Sequence, residues 1–193
     1  MTGRLVVLAS GNGTNLQAVL DACAENEITA DVVAVVSNVA DARALDRARL
    51  AGIEAVTLER RAGETRRDYD TRLAETVARH SPDFVVLAGW MLLLSANFID
   101  HVGCPVVNLH PALPGELPGI NSIERAHAEA VAGERTRSGV MIHFVPDEGV
   151  DDGPVIATTE VPVAATDTLE EFAARMHAAE HALLVRSLKQ LCA

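Results

Sequence analysis

Asn108 and His110 lie two positions apart in an apolar run, Val106 to His110. In an extended strand that spacing sends both side chains to one face, while Val107 and Leu109 take the other. A carboxamide can donate to a developing oxyanion, and an imidazole carries protons near neutral pH. The pair therefore suits acyl-transfer chemistry, and it equally suits plain hydrogen bonding to the Pro-rich loop that follows. Further on, Asp147-Glu148-Gly149-Val150-Asp151-Asp152-Gly153-Pro154 is an acidic loop in which Asp147 and Glu148 read as a solvated turn. An acid folded back from it beside His110 would raise the imidazole pKa and fix its tautomer.

A second chemical signal is Ser10-Gly11-Asn12-Gly13-Thr14-Asn15, between a strand pattern and a helix pattern. Glycines at such a junction let backbone N–H groups aim at an anion, and the helix dipole favours it. The dinucleotide fingerprint needs a third Gly where Leu16 stands, and an ATP-type loop needs Gly-Lys-Ser/Thr, so a small phosphate monoester fits better. The alternative is that the turn needs Gly for backbone reasons alone. On the last helix, Glu180 falls inside an apolar stripe of Leu169, Phe172, Met176, Leu183, Leu184 and Leu191. A carboxylate there must find a partner or line a cleft; a substrate amine or an internal Arg would serve. His177-Ala-Ala-Glu180-His181 matches an inverted zinc-protease pattern, but a third ligand would have to come from the few residues that follow. No metal is expected, and the two histidines read as surface residues.

These groups need a scaffold, and the apolar runs supply one. Leu5–Ala9, Val32–Ser37, Ala55–Leu58, Phe84–Ala88 and Val106–His110 are short and Val-rich. Between the first four lie helix patterns at Leu16–Cys23, Ala42–Leu50 and about Arg66–His80. That alternation predicts an α/β doubly wound fold, a parallel sheet covered on both faces. After a Pro- and Gly-rich loop and a helix near Ser122–Ala132, Gly139–Val145 and Val155–Val161 are too closely connected for a crossover helix and should pair antiparallel. A long helix from about Thr168 to Gln190 opens on a Thr168-x-x-Glu171 capping box. With 193 residues and a formal charge of −11, one domain is expected, and nucleic acid or an anionic membrane is a poor partner. The longest apolar stretch, Phe84 to Leu94, is too short to span a bilayer. Three scattered cysteines suggest no disulfide framework, and the N-terminal residues lack a secretory pattern, so a cytoplasmic location is expected.

Read in order, Ala9-Ser-Gly-Asn-Gly-Thr-Asn-Leu-Gln-Ala18, Val36-Ser-Asn38, Leu87-Ala-Gly-Trp-Met91, Asn108-Leu-His-Pro111 and Val150-Asp-Asp-Gly-Pro154 resemble the glycinamide ribonucleotide formyltransferase family. The resemblance covers nearly the whole chain. It implies a single Rossmann-like formyltransferase domain over residues 1–193, with a nucleotide-binding half to about residue 100 and a folate and catalytic half beyond. It further implies metal-free transfer of a formyl group from 10-formyltetrahydrofolate to the amine of 5-phosphoribosylglycinamide in purine synthesis, by a monomer or homodimer acting on small molecules.

Carried over by motif, the catalytic residues are Asn108, His110 and Asp151, with His110 held protonated by Asp151. The substrate residues are Gly11, Asn12, Gly13, Thr14, Asn15 and Glu180. The folate side comprises Arg66, Met91, Leu92, Leu93, Leu94, Asn108, Val145, Asp147 and Val150. Two departures stand out: Leu92 occupies a position where the family usually has Arg, and His110-Pro-Ala-Leu-Pro-Gly115 replaces the usual His-Pro-Ser-Leu-Leu-Pro. The same scaffold also serves a formyltetrahydrofolate hydrolase or formyltransferases with another amine acceptor, which usually carry an extra domain for which 193 residues leave no room. A nucleotide-binding module without turnover is the remaining alternative.

Overall fold

Val-rich runs bury well on both faces of a sheet, and the computed structural model, which describes residues 2–193, places them side by side. Thirteen elements follow in order: β1 (Gly3–Leu8), α1 (Thr14–Ala24), β2 (Ala30–Ser37), α2 (Arg43–Leu50), β3 (Glu54–Thr57), α3 (Arg66–Ala78), β4 (Phe84–Leu87), α4 (Ala96–Val102), β5 (Val106–His110), α5 (Ser122–Val131), β6 (Arg137–Phe144), β7 (Val155–Pro162) and α6 (Leu169–Leu191). The sheet order is β3-β2-β1-β4-β5-β6-β7. The first five strands are parallel. β6 runs antiparallel to both its neighbours. The mixed α/β architecture is the one the sequence predicts.

Two apolar layers flank the sheet. One gathers Leu5, Val7, Val107 and Leu109 with Leu16 of α1 and Phe172, Met176 and Leu184 of α6. The other gathers Val6, Leu8 and Val106 with Tyr69 and Leu73 of α3, Trp90, and Phe98 of α4. Alternation along β5 is therefore as expected, since Val106 and Val107 enter opposite layers. Helix α6 begins at the foreseen capping box, with Thr168 and Glu171 satisfying each other's backbone N–H. Leu169, counted in the apolar stripe, is exposed in the first turn of that helix.

The sequence pattern gave no sign of α4. Only Phe98 and Val102 are buried in its seven residues, too few for a periodic signal, yet β4 and β5 are parallel and need a crossover. The chain turns outward in both directions from β1 and β4, which neighbour each other without being consecutive. Beyond the carboxyl ends of such strands lies the crevice where open α/β sheets bind ligands.

Candidate active site

That crevice is a cavity of about 410 Å³, lined by Gly11–Asn15 after β1, Leu87–Leu94 after β4, Asn108 and His110 of β5, His143 of β6, the 145–151 loop, and His177 and Glu180 of α6. Its size is ordinary for a small-molecule site. Every expected substrate and catalytic residue is on this wall, as are Met91, Leu92, Leu93, Leu94, Val145, Asp147 and Val150. Arg66 is the exception. It opens α3, its guanidinium lies 3.7 Å from Asp70 of the same helix, and it does not line the cavity. Asp70 in turn accepts from the Ser95 N–H at 2.8 Å, so this pair braces the end of the 91–94 segment from behind.

The glycine loop is shaped by two different demands. Gly13 has φ +73°, and a Cβ there would sit 2.8 Å from Ala44 of α2, so a side chain is excluded by both backbone and space. Gly11 has no atom within 4 Å of a built Cβ and carries no such demand. Arg47 of α2 ties the loop down, donating to the Asn12 carbonyl at 2.8 Å and to Gln17 Oε1 at 3.0 Å. No side chain caps α1, and its first intrahelical bond runs from Gln17 N–H to Gly13 O. The N–H groups of Thr14, Asn15 and Leu16 thus have no helical partner, the condition under which a helix end binds an anion. Glu180, 4% exposed, finds its partner here: Asn15 Nδ2 donates to its Oε2 at 2.9 Å, with His177 Nδ1 at 3.3 Å.

At the other end, Asp151 folds back as the sequence allowed. Its Oδ2 accepts from the Gly119 N–H at 2.8 Å and lies 3.3 Å from His110 Nδ1, and its Oδ1 accepts from Asn108 Nδ2 at 3.1 Å. Asp151 holds φ +56°, a left-handed conformation that Asp tolerates better than most residues. Burial alone would raise its pKa, but the His143 edge, the Gly119 N–H and the two nearby imidazoles hold it below the ordinary carboxylate range. It is ionised at neutral pH.

The expectation that His110 rests as a cation is corrected. Burial, at 3% exposure, pushes the imidazole below its usual range, and the opposing pull of Asp151 and the Leu117 carbonyl does not recover it. Both ring nitrogens nevertheless face acceptors, Nδ1 toward Asp151 and Nε2 toward Leu117 O at 3.2 Å. A neutral ring leaves one of them without a proton to donate, so an added proton would complete a hydrogen bond. Glu148 is also corrected: it is no free turn residue but accepts from the Ala96 N–H at 2.8 Å, pinning the 145–151 loop to the start of α4.

His143 was missed. It is buried on β6, and the antiparallel register sets it opposite Asn108. Its Nδ1 lies 2.8 Å from Phe144 O, which requires a proton there, leaving Nε2 to accept from Asn108 Nδ2 at 3.0 Å. Both amide hydrogens of Asn108 are thereby engaged, one by His143 and one by Asp151. A histidine inside Met-Ile-His-Phe signals nothing by itself; only the strand register reveals its partner.

The formyl transferase family profile matches residues 3–188. The chain belongs to the formyl transferase family. It is 44% identical over 179 residues to the phosphoribosylglycinamide formyltransferase of Escherichia coli, covering 93% of this chain and 82% of that one. It is 41% identical to the enzyme of the same name from Dictyostelium discoideum, covering 99% and 98%. The solved structure of glycinamide ribonucleotide transformylase 1 from Symbiobacterium toebii superposes with a TM-score of 0.91 at 36% identity, covering 99% of this chain and 88% of that one. Membership in the family fits the wall of this cavity, where a buried His meets a half-buried Asn and Asp and a helix end offers free amides.

Proposed function

We propose that this enzyme transfers a formyl group from 10-formyltetrahydrofolate to the amine of 5-phosphoribosylglycinamide, a step of purine biosynthesis. The observation that carries the reading is one cavity with a hydrogen-bonded Asn108, His110 and Asp151 at one end and the open N-terminus of α1 beside Glu180 at the other. Thr14 to Leu16 offer amides to the phosphate, and Glu180 holds the glycinamide end. Exposed Met91, Leu93 and Val150, with half-buried Leu92 and Val145, give the folate ring apolar walls. In this reading each ligand draws on both halves of the chain, the ribonucleotide on Thr14–Leu16 and Glu180 and the folate on Met91–Leu93, Val145 and Val150. Small molecules are the partners, and the enzyme acts in the cytoplasm.

The neutral amine attacks the formyl carbon, and negative charge develops on the formyl oxygen. Asn108 donates to that oxygen by giving up its longer bond, the one to Asp151. His110 takes the proton shed by the attacking nitrogen, and so becomes charged only as the oxyanion forms. A charge that appears with the transition state stabilises it without stabilising the ground state. Asp151, ionised throughout, holds the new imidazolium, which then returns the proton to the departing folate nitrogen. The formyl C–N bond to folate breaks as the bond to glycinamide is kept, and no group on the enzyme is acylated.

The test is spectrophotometric release of the deformylated folate with the ribonucleotide as acceptor, repeated with water alone. Release that needs the ribonucleotide is expected; equal release in water would make the enzyme a hydrolase instead.

A further inference from the structure

On the reading proposed above, on which this inference rests, Met91–Leu93 wall the formyl donor. They belong to a segment, residues 88–95, that runs from β4 to α4 without regular secondary structure. Gly89, with φ +78°, turns the chain as it leaves the strand. Trp90 and Leu94 are then buried in the layer that holds Tyr69, and half-buried Leu92 packs against it. Met91 and Leu93, between them, are exposed and line the cavity. An extended chain alternates its faces in this way, and a slip of one residue would exchange the wall for the core. Some contact must fix the register where the segment leaves the sheet.

Half-buried Ser10 supplies it. Its N–H donates to Gly89 O at 2.9 Å and its Oγ accepts from the Met91 N–H at 3.0 Å, so one residue grips the chain on both sides of Trp90. The hydroxyl hydrogen goes to Asn38 Oδ1 at 2.6 Å, just beyond β2, which leaves the Oγ lone pairs for Met91. Since β2, β1 and β4 are neighbours in the sheet, this hydroxyl joins the ends of three adjacent strands. Among the described residues the Met91 N–H has no other partner. Ser10 itself does not line the cavity, although Gly11, the next residue, does.

We propose that Ser10 is a positioning residue for the formyl donor: it opens the glycine motif that serves the phosphate, yet its hydroxyl sets the register of Met91–Leu93 and so the seat of the folate. Asn38 acts through Ser10, by fixing the direction of the hydroxyl hydrogen. Truncating Ser10 to Ala keeps the backbone bond to Gly89 and the buried anchors Trp90 and Leu94, and it releases only the Met91 N–H. The fixings of the glycine loop, Arg47 on the Asn12 carbonyl and Gly13 against Ala44, do not involve the hydroxyl. The loss should therefore fall on the donor and spare the ribonucleotide, although the altered residue stands next to the phosphate loop.

The experiment measures KM for formylfolate and for the ribonucleotide in wild type, Ser10→Ala, Ser10→Thr, Asn38→Ala and the Ser10→Ala/Asn38→Ala double variant, with acrylamide quenching of tryptophan fluorescence in the unliganded proteins. Trp90 is the only tryptophan of the chain and precedes Met91, so its quenching reads the wall without any substrate. Ser10→Ala should raise the formylfolate KM roughly three- to tenfold, the worth of one neutral hydrogen bond, leave the ribonucleotide KM within about twofold, and make Trp90 more readily quenched. Ser10→Thr keeps the hydroxyl and should stay near wild type on all three counts. Asn38→Ala should resemble a weaker Ser10→Ala, and the double variant should be no worse than Ser10→Ala alone, because the two side chains act through one contact. Equal changes in the two KM values, a formylfolate KM unmoved by Ser10→Ala, or a Ser10→Thr as impaired as Ser10→Ala would overturn the assignment while leaving formyl transfer intact. Absence of ribonucleotide-dependent turnover in wild type would instead overturn the reading beneath it, and Trp90 quenching would still decide whether Ser10 holds the segment.

Discussion

Two imidazoles in one cavity are driven in opposite directions. His110 sits at the closed end, walled in by β5, the Leu117 turn and Asp151, and burial pushes its pKa down. His177 sits at the open end, half exposed beside Glu180, and its pKa is pushed up. Each has a carboxylate within about 3.3 Å, but only His177 is hydrogen-bonded to its carboxylate. At His110 desolvation is the larger influence, and the charged form loses more than the nearby Asp151 returns, whereas at the half-exposed His177 the Glu180 hydrogen bond outweighs desolvation. The closed end can thus hold a neutral base that charges during reaction, and the open end a standing cation.

The largest effects should come from breaking the closed end. His110→Ala and Asp151→Asn are each expected to lower kcat by roughly 100-fold or more, and the double variant should fall well short of the product, because residues acting as a unit are non-additive. Steady-state kinetics of the three variants checks this; independent, multiplying losses would separate the pair. At the open end, Gly13→Val places a β-branched residue at φ +73° against Ala44. It should raise the ribonucleotide KM more than tenfold and leave the folate KM nearly unchanged, whereas Gly11→Ala, with open space around it, should do little. Circular dichroism of both variants verifies that the fold is kept.

How much of this was legible beforehand differs between the two ends. The glycine loop, Glu180 and the Asn108–His110 pair lie on strongly patterned strands and helices, and periodicity alone put them at strand ends and helix faces. Asp151 beside His110 was a possibility that spacing could state but not decide. His143 depends on the β5–β6 register, Glu148 on a loop folding onto a helix too short to show a period, and the charge of His110 on how deeply the Leu117 turn covers it. Those are consequences of tertiary packing, and none has a local residue pattern. Arg66 lies off the cavity wall for a related reason: a motif fixed its place along the chain but not the direction of its side chain, which runs to Asp70.

A smaller effect concerns the folate side. Leu92 is half buried and packs against the layer that holds Tyr69 and Trp90, so its pocket is already filled without the Arg usual in the family. Leu92→Arg is expected to change the folate KM by less than about tenfold, below the range for gaining a charge-assisted hydrogen bond. KM for formylfolate at saturating ribonucleotide measures it, and a gain well above tenfold would mean the wild-type site lacks a needed contact. The smallest effect is on stability. The unfolded chain binds a proton at His110 near pH 6.5 and the folded chain only at lower pH, so His110 makes the fold less stable as pH falls through that region. His177, with its raised pKa, contributes stability that is fully present below about pH 6.5 and lost as pH rises through its folded value. Thermal unfolding across that range should therefore be more acid-sensitive in His177→Gln than in wild type.

The opposition of the two imidazoles can be read directly by nitrogen NMR of the ring signals through a pH titration of the unliganded enzyme, with His110→Ala and His177→Gln used to assign them. The account predicts that His110 is still neutral at pH 6.5 and titrates only below it, while His177 is mostly protonated there and titrates above it. A His110 ring already charged at pH 7, or two rings titrating at the same pH, would contradict it.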